Sequence, residues 1–174
     1  MKKSAPAKTK AKNKKTVAPL TSARQKTQKR QKTTVPLIIG IGASAGGLEA
    51  IEQFLGAVPK DSAMAIVIIQ HLDPNYKGIM PELLQRMTPL KVIQVADGTK
   101  IQPNQVYVIP PNKDMSVLHE TLYLLEPREP RGLRLPIDYF FASLADDLKE
   151  KSIGVILSGM GNDGTAGLRA IHEV

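Results

Sequence analysis

From Val35 onward, short continuous apolar runs alternate with segments whose apolar residues recur every three or four positions. "VPLIIGIG", "AMAIVIIQH", "LKVIQV", "QVYVIPP" and "IGVILSG" are of the first kind, the signature of strands buried on both faces. Between the first two, Leu48, Ile51, Phe54 or Leu55, and Val58 form one helical stripe that ends at Pro59. "MPELLQRM" is helical, with Pro81 tolerated in a first turn. "IDYFFASLADDLKEK" lines up Ile137, Phe140, Leu144 and Leu148, and "GTAGLRAIHEV" opens a last helix that continues to Val174 without a glycine cap or proline stop. "MSVL-HE-TLYLLEP" predicts an antiparallel hairpin at one side of the sheet. Together these elements predict an α/β fold, a doubly wound, mainly parallel sheet with a β-hairpin insertion, whose C-terminal part lies beyond Val174. No internal repeat is present.

Charge divides the chain. Residues 1–34 hold 12 of the 24 Lys and Arg and none of the 16 Asp and Glu, so residues 35–174 carry 12 basic against 16 acidic side chains, a balance of −4. The first segment lacks apolar periodicity and cannot bury enough surface to offset its ordering entropy, so it is expected to be a disordered basic tail. A solvated extension is the plain reading, and contact with an anionic partner the functional one. The chain has no cysteine, which excludes disulfides and thiolate metal sites. No stretch approaches the roughly 18 consecutive apolar residues of a membrane span, and no apolar h-region follows the charged amino terminus. A cytoplasmic protein with no membrane insertion is expected.

The chemistry gathers around "GIGASAGG", residues 40–47. Gly40, Gly42 and Ala45 fit a relaxed phosphate-cradling turn, whereas Gly42, Ser44 and Gly46 spell G-x-S-x-G, the elbow that presents a nucleophilic serine. In open α/β sheets, ligands and reacting groups collect beyond the carboxyl ends of the strands. Ser44 follows the first strand, His71 ends the second, and Asp163 lies in "SGMGNDG" after "IGVIL". Neighbouring strands, at about 4.8 Å spacing, would bring a nucleophile, a base and an orienting carboxylate to one crevice. Taken singly, Ser44 and Asp163 read as N-caps of the helices they precede, and His71 as a hydrogen-bonded strand end. His119 and His172 have no such partners and read as structural or solvated. The order Ser, His, Asp differs from the Ser, Asp/Glu, His order of α/β-hydrolases.

"IGIGASAGGLEAIEQFL", "VIIQHLDPNYKGIMPELLQR", "VYVIPPN", "RGLRLPIDYFFASLA" and "IGVILSGMGNDGTAGLRAI" together resemble the chemotaxis protein-glutamate methylesterase (CheB) family. They are most similar to the form at the front of methylesterase–methyltransferase (CheB/CheR) fusion proteins, over about residues 36–174. The resemblance implies a serine hydrolase that removes methyl esters from glutamyl side chains of chemoreceptor helices, some members also deamidating glutamine. It implies Ser44 as nucleophile, His71 as general base, Asp163 as orienting carboxylate, and backbone N–H groups of Met160 and Ala45 at the oxyanion. It further implies no metal or organic cofactor, methylated receptor as partner and substrate, and a methyltransferase as partner or fused domain. Two departures stand out: many members have Thr where this chain has Ala45, and the basic tail stands where a receiver domain is usual.

A dinucleotide-binding domain is the first alternative, with Asp73 as its acidic residue. However, Asp73 lies 31 residues after Gly42, where about 20 is usual. The second alternative is a non-catalytic adaptor on the same fold, contacting its partner through the tail.

Overall fold

The computed structural model describes residues 36–44, 46–70, 79–130, 132–158 and 161–174. The basic segment 1–34 lies outside the described residues, as do Ala45, His71 and Met160.

Among the described residues, eight strands and four α-helices follow in the order β1 (Ile38–Ala43), α1 (Gly47–Ala57), β2 (Ala65–Gln70), α2 (Ile79–Gln85), β3 (Lys91–Gln94), β4 (Thr99–Lys100), β5 (Gln105–Val108), β6 (Asp114–Leu118), β7 (Thr121–Leu125), α3 (Pro136–Leu148), β8 (Ser152–Ser158) and α4 (Thr165–His172). Five of the strands form one sheet in the order β3-β5-β2-β1-β8. Every pairing in it is parallel. This is the α/β sheet that the alternating apolar runs predict.

The strand period of two sorts the side chains into two cores. Ile39, Ile41, Ile66, Ile68, Val106 and Val108 share one cluster with Ile51 and Leu55 of α1 and Leu84 of α2. Ile38, Val67, Ile69 and Tyr107 share the other with Ile137, Phe140, Phe141 and Leu144 of α3. Each large apolar side chain so buried stabilises the fold by about 1.5–3 kcal/mol. On α1 the core takes Leu55 in full, while Phe54 is half-buried. All four stripe residues predicted on α3 are buried.

The hairpin departs from expectation. β6 and β7 pair antiparallel as predicted, but they join β4 in a separate three-stranded sheet instead of flanking the parallel one. Met115, Val117 and Leu122 bury their side chains in the α3 core cluster. The hairpin therefore packs by its side-chain face, leaving no reason for it to line up with the edge of the main sheet. Its two-residue turn places His119 at φ 50° and Glu120 at φ 58°, the positive pair typical of tight hairpins and normally assigned to Asn or Gly. Asp147 of α3 stabilises that turn, its carboxylate accepting the N–H of His119 at 2.7 Å and of Glu120 at 3.1 Å.

Candidate active site

β1 lies between β2 and β8, so the loops after these three strands leave adjacent points on one edge. Ser44 is the first residue beyond β1. Its N–H donates to the Ser158 carbonyl at 2.9 Å, and its carbonyl accepts the Gly47 N–H at 3.0 Å. The serine is thus held by main-chain bonds between the end of β8 and the start of α1. Gly46 takes φ 84° in this turn, a backbone conformation that glycine adopts without a Cβ penalty. Gly46, not Ser44, is the residue that caps α1, and no side-chain hydrogen bond caps that helix. The N-cap explanation of Ser44 therefore does not hold.

Gly42 distinguishes the two readings of the glycine-rich turn. A Cβ there would lie 2.5 Å from Ile137 Cγ2 and 2.6 Å from Ile156 Cδ1. In a dinucleotide cradle the second glycine leaves room for a pyrophosphate. Here the chain's own α3 and β8 occupy that space, so the glycine serves the packing of helix on strand.

Asp163 does cap a helix, but not the one it precedes. Its Oδ1 accepts the N–H of Asp138 at 2.9 Å and its Oδ2 the N–H of Ile137 at 3.2 Å, both in the first turn of α3. The helix dipole places partial positive charge there, a setting that favours a carboxylate. Asp138 in turn accepts the Gly167 N–H of α4 at 2.7 Å, so the loop carrying Asp163 is tied to α3 from both sides. α4 itself is capped by Gly164, in the left-handed conformation and without a side-chain bond.

Of the residues singled out in the sequence, Ser44 and Asp163 stand on the carboxyl edge of adjacent strands, each fixed by backbone hydrogen bonds. β2, whose end His71 was expected to occupy, runs to Gln70. His71, Ala45 and Met160 themselves lie outside the described residues.

Two charged neighbours were not anticipated. Asp114, the first residue of β6, has its carboxyl pushed above the usual range by burial, drawn back by the nearby Arg134, and raised again by the charge of Asp163. Asp114 of the hairpin thus lies within electrostatic reach of both Arg134 and Asp163. No motif signals them, because they are 49 and 29 residues from Asp163 along the chain. The pH consequence has a definite sign. A carboxyl whose folded pKa exceeds its unfolded value favours folding while protonated, and that contribution is lost as pH rises through the folded value. Asp114→Asn is therefore expected to melt above the parent at pH 7, with the difference vanishing below the unfolded value of 3.8. Melting curves across that range check this, and an equal or lower melting point at pH 7 would contradict it.

Comparison with known proteins agrees with this architecture. Residues 39–174 match the family model described as CheB methylesterase. The chain is 33% identical over 142 residues to a protein-glutamate methylesterase/protein-glutamine glutaminase of Myxococcus xanthus, covering 79% of this chain and 41% of that protein. It is 39% identical over 149 residues to one from Burkholderia lata, covering 79% and 41%. Against the crystal structure of the Thermotoga maritima CheB methylesterase catalytic domain the TM-score is 0.71 at 27% identity, covering 80% of this chain and 76% of that one. The chain spans about two fifths of the length of the curated relatives it matches. With a matching family model over most of its length and a shared sheet architecture, the chain belongs to the CheB methylesterase family.

Proposed function

We propose that this chain hydrolyses methyl esters of glutamyl side chains on chemoreceptors, and deamidates glutamine there, with Ser44, His71 and Asp163 as its catalytic triad. The observation that carries this reading is the placement of Ser44 and Asp163. Ser44 is held in a turn at the end of β1, and Asp163, beyond the adjacent β8, has its carboxylate fixed to the first turn of α3. The names borne by the relatives, protein-glutamate methylesterase/protein-glutamine glutaminase, point to the same chemistry.

In the proposed mechanism His71 removes the Ser44 proton as the hydroxyl oxygen attacks the ester carbonyl. Backbone N–H groups of Ala45 and Met160 receive the oxyanion. His71 then protonates the departing methoxide, methanol leaves, and water repeats the cycle on the acyl-enzyme to release the glutamate carboxylate. Asp163 holds the imidazole tautomer and stabilises its cation. No step calls for a metal or organic cofactor. The same sequence on a glutamine amide releases ammonia.

Residues 1–34 are read as a separate basic tail that contacts an anionic partner, and residues 35–174 as the catalytic part. A methyltransferase, free or fused, is the complementary enzyme. No helix among the described residues is long and apolar enough to cross a membrane, and a cytoplasmic setting fits a substrate on the receptor's signalling side. Incubation with methylated receptor should release methanol, and a serine-directed phosphonate should label Ser44. Folded protein that neither releases methanol nor takes the label would instead be a non-catalytic adaptor.

A further inference from the structure

One buried polar atom at the edge that carries Ser44 is not satisfied by the fold. Among the described residues, the Oε1 of Gln70 is the buried side-chain oxygen that has no hydrogen-bond partner. Gln70 closes β2, whose five preceding residues are apolar and fully buried. Burying a carboxamide oxygen without a donor costs free energy that a hydrogen bond would recover. Such an acceptor in a native fold has its use in an arriving ligand or an ordered water.

The position of Gln70 ties it to the serine turn. It stands opposite Ala43 in the parallel register of β1 and β2, one strand spacing of about 4.8 Å away. Ala43 immediately precedes Ser44, and Gln70 immediately precedes His71. Residues two apart on a strand share a face, so Gln70 continues the row of Ile66 and Ile68 that packs with α1. Ala43 belongs to the same cluster. The start of α1 lies directly on it, since a Cβ on Gly47 would come within 2.6 Å of the Ala43 Cβ. The unsatisfied oxygen is therefore on a residue beside the strand end from which the serine turn departs. A methyl ester has no N–H or O–H to offer it. The reactant that brings donors in every cycle, on ester or amide, is the water that opens the acyl-enzyme.

We propose that the Gln70 carboxamide oxygen holds the hydrolytic water, accepting one of its hydrogens while His71 accepts the other. The proposal rests on the esterase reading and adds the residue that orients the second reactant. The water oxygen bonds to the acyl carbon as its proton passes to His71. Collapse of the tetrahedral intermediate breaks the bond from that carbon to the Ser44 oxygen, which takes the proton back from His71. The O–H that faced Gln70 becomes that of the glutamic acid and ionises on release. Gln70 itself is unchanged. The first half of the cycle, in which Ser44 is the nucleophile, makes no use of it.

Separating the two halves of the cycle tests this. Methanol release from methylated receptor is followed by rapid quench for the parent, for Gln70→Met, which keeps the length but removes the acceptor, and for Gln70→Glu, which keeps an oxygen. Gln70→Met is expected to release a burst of about one methanol per enzyme as acyl-enzyme accumulates. Its steady rate should then run roughly tenfold or more below the parent's. A serine-directed phosphonate should label Ser44 in this variant as fast as in the parent. Gln70→Glu should recover part of the lost steady rate. Because an unsatisfied acceptor has been removed, Gln70→Met should melt at or above the parent. A lower melting point overturns the proposal, since the oxygen would then already serve the fold. Labelling slowed in step with turnover overturns it too, because Gln70 would act before the acyl-enzyme. So does a Gln70→Glu variant no faster than Gln70→Met, which would make the residue's shape its only role. Normal turnover by both parent and Gln70→Met sinks the water assignment alone. A folded parent that releases no methanol and takes no label sinks the esterase reading, and the assignment with it.

Discussion

Ser44→Ala is expected to abolish methanol release, lowering kcat by about ten-thousandfold or more, as when the nucleophile of a triad is removed. The fold should not notice. The hydrogen bonds described for Ser44 are main-chain bonds to Ser158 and Gly47, which alanine retains. Gly46, not the serine hydroxyl, caps the helix that follows. The change in unfolding free energy should therefore stay within about 0.5 kcal/mol. Methanol release and urea unfolding measured on the same preparations test both halves. Undiminished turnover would remove Ser44 from the mechanism, and a marked loss of stability would mean that its hydroxyl serves the fold.

Asp163→Ala should harm both properties at once. It removes the two acceptor oxygens that hold the Ile137 and Asp138 N–H groups. Losing such a cap costs about 0.5–2 kcal/mol, and the charge at the dipole end adds a few tenths more. α3 is the helix affected, and it brings Ile137, Phe140, Phe141 and Leu144 into the core. Turnover should fall by several orders of magnitude, because the imidazole loses the group that fixes its tautomer. Asp163→Asn separates the roles. One carboxamide oxygen still accepts from the helix, so more stability should survive than in the alanine variant, while turnover should fall nearly as far. Unfolding curves unchanged by Asp163→Ala would dismiss the cap, and an asparagine variant as active as the parent would dismiss the orienting carboxylate.

The secondary structure was legible wherever its signal is carried by residues close in sequence. Continuous apolar runs identified all five strands of the parallel sheet: β1, β2 and β5 are buried on both faces and have no polar side to interrupt them, while β3 and β8, at the ends of the strand order, are only partly buried. A three-to-four-residue period marked α3 down to the four stripe residues that the structure buries. The serine turn was equally readable, since its glycines and its place between a strand and a helix are local facts.

What the glycines were for was not readable in the same way. Both readings of "GIGASAGG" fit its residues, and Gly42 speaks against the phosphate cradle only because Ile137 and Ile156, far along the chain, fill the space beside it. The hairpin turn was likewise found, but not its sheet. Pairing and turn chemistry are short-range, whereas the choice of layer depends on which distant surface buries Met115, Val117 and Leu122. Asp163 was seen as a residue before a helix, and its capping of a different helix needed the three-dimensional path of α3. Asp114 and Arg134 carry no motif at all. The chain's own order thus dictated which segments become strands and helices and which residue types stand at their ends, since those preferences act over a turn or two. Which groups meet there was decided by packing, where apolar faces from remote segments must close on one another and carry their polar ends to a shared rim.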